Sequence, residues 1–181
     1  TETLDRLVSK GKIRTYGWST DLLGGVKLIA EKQNCSAIQQ EYSIIRGNDD
    51  ILCLCEEKNL ASINRSPLGM GLLSGKFSKN SQIPKGDVRS SGFDWCSHVF
   101  VDGSPNEEAL RKLDAVRDIL TSNGRTLAQG ALAWIWGRSK VTIPIPGFKT
   151  EKQIEENARA MEFGPLTPKQ MKEIDMLLGN K

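Results

Sequence analysis

Segments that alternate apolar and polar residues recur along this chain, and each is separated from the next by a segment with helical spacing. The alternating segments are 12–19, 37–43 and 61–66, and apolar residues at helical intervals fill 22–33 and 50–59 between them. Strands separated by helices do not pair as hairpins; they join a parallel sheet through right-handed crossovers. The sequence therefore predicts an α/β fold built on parallel strands.

Further helices and a fourth strand are predicted outside this repeat. A helix over 1–9 comes first, and a helix over 127–138 leads into a strand at 141–145. Two more helices begin with a hydroxyl N-cap, a proline and a capping-box residue. These starts are Ser104, Pro105 and Glu107, and Thr167, Pro168 and Gln170.

The stretch from 141 to 157 suits an anionic ligand. Its alternating apolar residues, which are expected to be buried, are Val141, Ile143 and Ile145. Gly147 permits a backbone geometry that a side chain would forbid, and Thr150 with Gln153 fits a capping box. The free N–H groups and dipole of this helix start favour a phosphate, with Lys149 just before it. An ordinary solvated helix start is the alternative that stays open.

The segment 67–103 departs from the rhythm and is rich in glycine, serine and proline. Connections of that length are usually functional or disordered. We interpret it either as a cover over a substrate, with Phe93, Trp95 and Phe100 lining the pocket, or as a loosely packed surface loop. His98, the one histidine in the sequence, is interpreted as a surface-loop residue, because no second ligand is spaced to hold a metal with it.

Composition excludes several classes of protein. The net charge is +3 and acidic residues are mixed among the lysines, so nucleic acid and membrane surfaces are not expected partners. No apolar run suits a signal peptide or a bilayer span, which favours the cytoplasm. The cysteines are interpreted as free thiols, and no metal site is predicted. They are Cys35, Cys53, Cys55 and Cys96.

Two parallel architectures fit a chain of 181 residues with four strands. One is an open doubly wound sheet, but Gly69, Gly71 and Gly75 are one residue off the dinucleotide pattern. The other is the (β/α)8 barrel, of which four strands are half. Phosphate frequently binds such barrels in the loops after the seventh and eighth strands, which here would start at Pro67 and Gly147.

Four motifs, in this order, resemble the C-terminal strand-and-loop signatures of aldo-keto reductases. They are KIRTYGWST at 12–20, QQEYS at 39–43, SPLGMGLLSGK at 66–76 and IPGFKTEKQIEEN at 145–157. Members of this family are NADP(H)-dependent (β/α)8 barrels that reduce aldehydes and ketones to alcohols by hydride transfer. The resemblance implies that residues 1–181 form a single partial domain, the C-terminal half of such a barrel. It would contain strands five to eight, their helices and an extra C-terminal helix.

The resemblance also implies which residues hold NADP(H). Ser19, Thr20 and Gln39 would hydrogen-bond the nicotinamide carboxamide, and Arg65 stands where many members stack an aromatic ring. A planar guanidinium can also stack. The loop along the pyrophosphate matches at Ser66, Leu68, Gly71, Leu72 and Lys76. The segment around the 2′-phosphate and adenine matches at Gly147, Phe148, Lys149, Gln153, Glu156 and Asn157. Several members carry an arginine where Gln153 stands, so the preference for NADP rests mainly on Lys149.

The family's catalytic aspartate, tyrosine, lysine and histidine come from strands one to four. No catalytic residue is therefore assigned in this sequence, and the isolated chain is predicted to be inactive. The expected partners are a small carbonyl substrate in the complete enzyme, and either an N-terminal half-barrel or a second copy of the chain. The alternative is a non-catalytic nucleotide-binding or interaction module, formed when half-barrels self-associate through unpaired strand edges.

Overall fold

The computed structural model describes residues 1–179, so positions 180 and 181 of the predicted domain lie outside it. Its helices and strands follow this order: α1 Glu2–Ser9, β1 Tyr16–Ser19, α2 Leu23–Ala30, β2 Cys35–Glu41, α3 Asp49–Glu57, β3 Ala61–Arg65, β4 Phe100–Val101, β5 Ser104–Pro105, α4 Glu107–Leu120, α5 Leu127–Arg138, β6 Thr142–Pro144, α6 Glu151–Phe163 and α7 Pro168–Leu178. Not one of the helices in this described range has the length and apolar character that crossing a lipid bilayer would require.

Four parallel strands within residues 1–179 form one sheet in the order β1, β2, β3, β6. The predicted parallel sheet is confirmed, although β1 begins only at Tyr16. Ser19 lies opposite Gln39, and Glu41 lies opposite Arg65. Because the strands are parallel, their carboxyl ends share one edge of the sheet, which we call the carboxyl edge. Ligands of open α/β sheets bind outside this edge.

Two apolar clusters hold the helices to the sheet and to one another. The first joins α2 and α3 to β1 and β2 through residues such as Val26, Ile38 and Ile51. The second joins α4, α5 and α7, with Leu113 and Ile135 fully buried inside it. Full burial of one such side chain contributes about 1.5–3 kcal/mol. These clusters give the carboxyl edge a rigid support.

The start of α4 differs from the prediction. Ser104 and Pro105 belong to β5, which pairs antiparallel with β4, and the helix begins at Glu107. Asn106 is the N-cap, since its side-chain oxygen accepts a hydrogen bond from the backbone N–H of Ala109 at 3.1 Å. The predicted cap at Ser104 is wrong because pairing with β4 takes that residue out of the helix.

Strand β6 turns the opposite face to the core from the one predicted. Ile143 and Ile145 are 49% and 45% exposed. Thr142 is buried instead, and its hydroxyl lies 3.2 Å from the carbonyl of Ile135 and 2.7 Å from that of Ser139. Since successive side chains of a strand point to opposite faces, burial of Thr142 leaves both isoleucines on the open face. The prediction that they are buried is wrong.

The 67–103 segment, hereafter the excursion, has a small core of its own. Three short 3-10 turns and strand β4 run through it. Its apolar cluster consists of Leu72, Ile83, Cys96, Val99 and Phe100, together with Ala109 of α4, and all six residues are buried. Phe93 and Trp95 are half exposed and stack on each other, with ring centroids 6.2 Å apart. The interpretation as a loosely packed surface loop is therefore wrong, and Phe100 belongs to the core.

A thiol-labelling experiment tests this packing. Cys53 is exposed, whereas the other three cysteines are buried, and burial raises the pKa of Cys55 to about 11. Because the thiolate is the reactive species, we expect iodoacetamide to modify Cys53 about 100-fold faster than Cys55 in the folded protein. Peptide mass spectrometry after timed quenching measures both rates, and Cys53→Ser should show no fast phase. Equal rates at Cys53 and Cys55 would contradict the packing described.

Candidate functional site

The ends of β1 and β2 bring together the three residues predicted to bind a carboxamide. Ser19 Oγ donates to Gln39 Oε1 at 3.3 Å, and the Thr20 N–H donates to the Gln39 carbonyl at 2.9 Å. Thr20 Oγ1 accepts from the N–H of Leu22 at 3.1 Å, which fixes the turn after β1. Hydroxyl and amide groups thus meet at one point of the carboxyl edge. Such groups can both donate to and accept from a ligand amide.

Arg65 extends the same edge, and two carboxylates hold its guanidinium. It pairs with Asp21 through Nη2 and Oδ2, and its Nη1 lies 3.7 Å from Glu41 Oε2. The arginine side chain is 34% exposed, so part of the guanidinium remains accessible to a ligand. Because two negative groups flank it, the charge that Arg65 presents to a neighbouring ring is partly balanced.

His98 fastens the excursion to this edge. Its Nε2 lies 2.8 Å from Glu41 Oε1, its Nδ1 lies 3.2 Å from Arg46 Nη1, and the side chain is 18% exposed. Burial would raise the pKa of Glu41, but the hydrogen bond from His98 and the positive charges of Arg46 and Arg65 hold it below its usual value. The interpretation of His98 as a surface-loop residue is wrong, because its two ring nitrogens are engaged by other segments.

A tight turn follows β3 and carries the predicted pyrophosphate loop. Four residues within 66–71 have positive φ, and the value at Gly71 is 93°. Glycine adopts this geometry at little cost. The Gly71 N–H donates to the Leu68 carbonyl at 2.9 Å, and Lys76 packs against Gly71, where an added Cβ would lie 3.5 Å from Nζ. Leu72 is fully buried in the core of the excursion, so a ligand could reach only its backbone.

Beside this turn, positive side chains from separate segments lie close enough for their charges to affect the pKa of Lys76. Lys76 Nζ lies 4.9 Å from the centroid of the Phe77 ring. Burial lowers the pKa of Lys76, and the charges of Arg89 and Lys149 lower it further. Lys149 thus contributes to the potential at Lys76, although the two residues belong to different loops. A turn under such a positive potential favours an anionic ligand.

Arg89 is a site residue that the sequence motifs do not include. It donates to both carboxylate oxygens of Asp87, at 2.8 and 2.6 Å, and to the Met70 carbonyl at 3.2 Å. Its guanidinium also lies over the rings of Phe77 and Phe100. The pair therefore ties the excursion to the turn after β3. The only signal for Arg89 in the sequence is that it follows Asp87 by two residues. The segment around the two residues has no hydrophobic periodicity that would point to a site.

The loop after β6 is more open than predicted. Gly147 does not adopt a positive φ, and an added Cβ would meet no atom within 4 Å, so the predicted special geometry is wrong. Thr150 Oγ1 accepts from the Gln153 N–H at 3.3 Å, as a capping box requires. Gln153 Oε1, however, accepts from the Lys149 N–H at 2.6 Å instead of that of Thr150. Gln153 therefore fixes the backbone of Lys149.

An apolar groove of about 270 Å³ lies beside this loop. Phe148, Ile154 and Met161 contribute to its wall, and Asn157 brings an amide to it. The backbone of Glu156 is held from behind, since its carbonyl accepts from Gln129 Nε2 at 3.0 Å. Apolar walls with one amide suit a planar heteroaromatic ring.

Neither tyrosine of the sequence presents a free hydroxyl to the carboxyl edge. Tyr16 begins β1 at the opposite edge, and its hydroxyl lies 2.9 Å from Asp5 Oδ1. Tyr42 is buried and its hydroxyl bonds to Asp49; burial and that bond raise its pKa. A hydroxyl held in this way is a poor proton donor to a substrate. The structure therefore gives no reason to assign catalysis to either residue.

Comparisons with known proteins agree with the motifs. A model of the aldo/keto reductase family matches residues 1–178. The chain is 32% identical to the aldo-keto reductase yakc of Schizosaccharomyces pombe, whose name specifies NADP(+), over 88% of this chain and 46% of that protein. It is 34% identical to a chloroplastic pyridoxal reductase of Arabidopsis thaliana, over 70% of this chain and 32% of that protein.

Solved structures give the same fold. A glycerol dehydrogenase from Gluconobacter oxydans superposes with a TM-score of 0.80 at 24% identity, over 97% of this chain and 52% of that one. The chain spans between 32% and 52% of the length of these three relatives. The family model, which matches nearly the whole chain, decides the assignment: this chain belongs to the aldo/keto reductase family.

Proposed function

We propose that this chain binds NADP(H) along its carboxyl edge and forms the cofactor-binding part of a reductase that converts aldehydes or ketones to alcohols. The observation that carries the proposal is convergence. Four motifs, distant in sequence, contribute polar groups, a glycine turn and positive charges to loops that follow parallel strands of one sheet. Dinucleotides bind α/β folds in such a place.

In this proposal each part of the cofactor meets chemistry suited to it. Ser19, Thr20 and Gln39 hold the carboxamide, and Arg65 stacks on the nicotinamide with its charge balanced by Asp21 and Glu41. The turn at 66–71 offers backbone groups, and Lys76 offers a cation, to the pyrophosphate. The 2′-phosphate lies at Lys149, and adenine occupies the groove between Phe148 and Asn157. Bound NADPH would supply the hydride.

The reaction also needs an acid that protonates the carbonyl oxygen, and we assign no residue of this chain to that role. We propose that the acid comes from outside these 181 residues, from a segment that completes a (β/α)8 barrel of which this chain supplies strands five to eight. The chain alone is then expected to bind cofactor without reducing carbonyls.

Isothermal titration calorimetry with NADPH and NADH tests the binding step. We expect one site per chain and tighter binding of NADPH, because Lys149 is exposed and can reach the 2′-phosphate. A coupled assay in which the N-terminal half of a related reductase is added then tests for carbonyl reduction. Absence of binding would refute the proposal, and binding without reconstituted activity would refute its enzymatic part.

A second candidate function is a self-associating binding module. The observation that favours it is the open face of β6, where Ile143 and Ile145 are about half exposed at the edge of the sheet. An edge strand with exposed apolar residues invites pairing with another chain. Native mass spectrometry distinguishes the candidates, since a homodimer without bound nucleotide would favour the module, whereas a monomer that retains NADP(H) would favour the reductase.

A further inference from the structure

The hydrogen bonds of His98 determine where its proton lies. An arginine guanidinium has only donors, so the 3.2 Å contact between Arg46 Nη1 and His98 Nδ1 requires Nδ1 to accept. The single proton of a neutral imidazole must then sit on Nε2, which is 2.8 Å from the carboxylate of Glu41. The geometry therefore fits neutral His98 in the Nε2–H tautomer, with both nitrogens satisfied.

Adding a second proton from solvent breaks this arrangement. The new proton occupies Nδ1, so Nδ1–H and the Arg46 N–H would face each other as two donors, and two positive charges would lie in contact. Arg46 must then leave, while the charged ring pairs more strongly with Glu41. The charged groups around the ring are Glu41 on β2, Arg46 after β2, and Arg65 on β3, which acts through Glu41.

The effect does not stop at Arg46, because Glu41 is shared. Its Oε2 lies 3.7 Å from Arg65 Nη1 and 3.8 Å from Arg46 Nε, while Oε1 meets His98. A positive charge on His98 competes for the carboxylate that helps to neutralise Arg65. The guanidinium then keeps Asp21 as its main counter-charge and presents more positive charge at the carboxyl edge.

We propose that His98 is a proton-controlled positioning residue, which sets the place of Arg46 and the effective charge of Arg65 through Glu41. Its bearing on the cofactor rests on the proposed NADP(H) site, where Arg65 lies against the nicotinamide. The oxidised ring carries one more positive charge than the reduced ring, so acidification disfavours NADP⁺ relative to NADPH at this site.

The first test needs no cofactor. His98 is the one histidine of the sequence, so its ring gives a single set of 15N and 1H resonances. We expect the neutral ring to show the Nε2–H tautomer, and the side-chain resonances of Arg46 and Arg65 to shift with the same midpoint as the ring. His98→Gln keeps an N–H donor for Glu41 but cannot take up a proton. In this variant the pH-dependent shifts of the Arg46 and Arg65 resonances should vanish. An Nδ1–H tautomer, or arginine resonances that ignore the titration of His98, would overturn the inference.

The second test measures the ratio of the dissociation constants of NADP⁺ and NADPH at about pH 5 and about pH 8, the range over which histidine side chains usually change charge. Titration of the 2′-phosphate cancels in this ratio, because both cofactors carry that group. We expect the ratio to rise about fivefold at the lower pH, at the low end of usual coupling between sites. His98→Gln, and His98→Asn as a second variant checked for folding by circular dichroism, should show no rise.

The outcomes separate the two proposals. If neither cofactor binds but Arg46 and Arg65 follow the titration of His98, the proposed function fails and the proton-controlled arrangement stands. If both cofactors bind and their ratio ignores pH in the wild type, the positioning role of His98 fails while the cofactor site stands.

Discussion

Charge reversal at Lys149 is expected to weaken NADPH binding by about 100-fold, because a charged contact with the 2′-phosphate is worth about 1.5–3 kcal/mol and each 1.4 kcal/mol is tenfold in affinity. Lys149 is exposed, and its backbone N–H is fixed by Gln153 at 2.6 Å, so its loop does not depend on the lysine side chain for its shape. NADH, which lacks the 2′-phosphate, should lose far less affinity. Calorimetric titration of Lys149→Glu with both nucleotides gives the two values.

Lys169→Glu is the matched control for this experiment. Lys169 is also exposed and lies in the first turn of α7, close to a helix start as Lys149 is, so the change in net charge is the same. It belongs to none of the loops at the carboxyl edge, and solvent screens exposed charges beyond a Debye length of about 10 Å. We expect wild-type affinity for both nucleotides. An equal loss in the two variants, or an equal loss for NADPH and NADH in Lys149→Glu, would remove Lys149 from the site.

Replacement of Gly130 by alanine is expected to lower the free energy of unfolding by about 3 kcal/mol, the upper part of the usual range for overpacking a core. Gly130 lies in α5, and an added Cβ would come within 2.2 Å of the Leu120 carbonyl oxygen at the end of α4. That neighbour is backbone, so no side-chain rotation relieves the clash and the two helices must separate. Urea unfolding followed by circular dichroism measures the change.

Gly24→Ala is the same type of substitution, but it is expected to raise the free energy of unfolding. Gly24 lies in α2, has a negative-φ helical backbone, and an added Cβ would meet no atom within 4 Å. Alanine should therefore stabilise the protein by about 0.5 kcal/mol through helix propensity and a less flexible unfolded chain. If the two variants shifted the urea midpoint in the same direction, the packing of α4 against α5 described above would be incorrect.

Features of the fold that depend only on residues close together in the sequence can be predicted from it. The capping box of Thr167 and Gln170 is present as predicted, with Gln170 N–H donating to Thr167 Oγ1 at 3.3 Å. The cap at Ser104 follows the same local pattern and is wrong, because β4 competes for that residue from across a turn. Local sequence shows which residues are able to cap a helix, but a pairing partner elsewhere in the chain decides which one does.

The candidate site likewise contains residues that the sequence could predict and residues that it could not. Motif spacing located the loops, and parallel strands then had to deliver them to one edge. Nothing local to Arg65 reveals that Asp21 and Glu41 would flank it, since the three residues come from three segments. Arg89 was missed for a related reason, as its importance arises from contacts with Asp87 and the Met70 carbonyl. Site residues defined by their partners, and not by a motif, require the tertiary structure.

The excursion's separate apolar cluster has a consequence for how this fold can change. The segment buries Ile83 and Phe100 against other residues of the excursion and against Ala109 of α4, and none of these residues belongs to the four-stranded sheet. Its first turn is attached through packing, because Leu73 is buried among α4, α5 and α7 and Leu72 packs with Ala109 of α4. The Asp87–Arg89 pair and His98 add polar attachments further along. The turn at 66–76 belongs both to the excursion and to the proposed nucleotide site, so an exchange between relatives that leaves this site intact would involve only the residues after the turn.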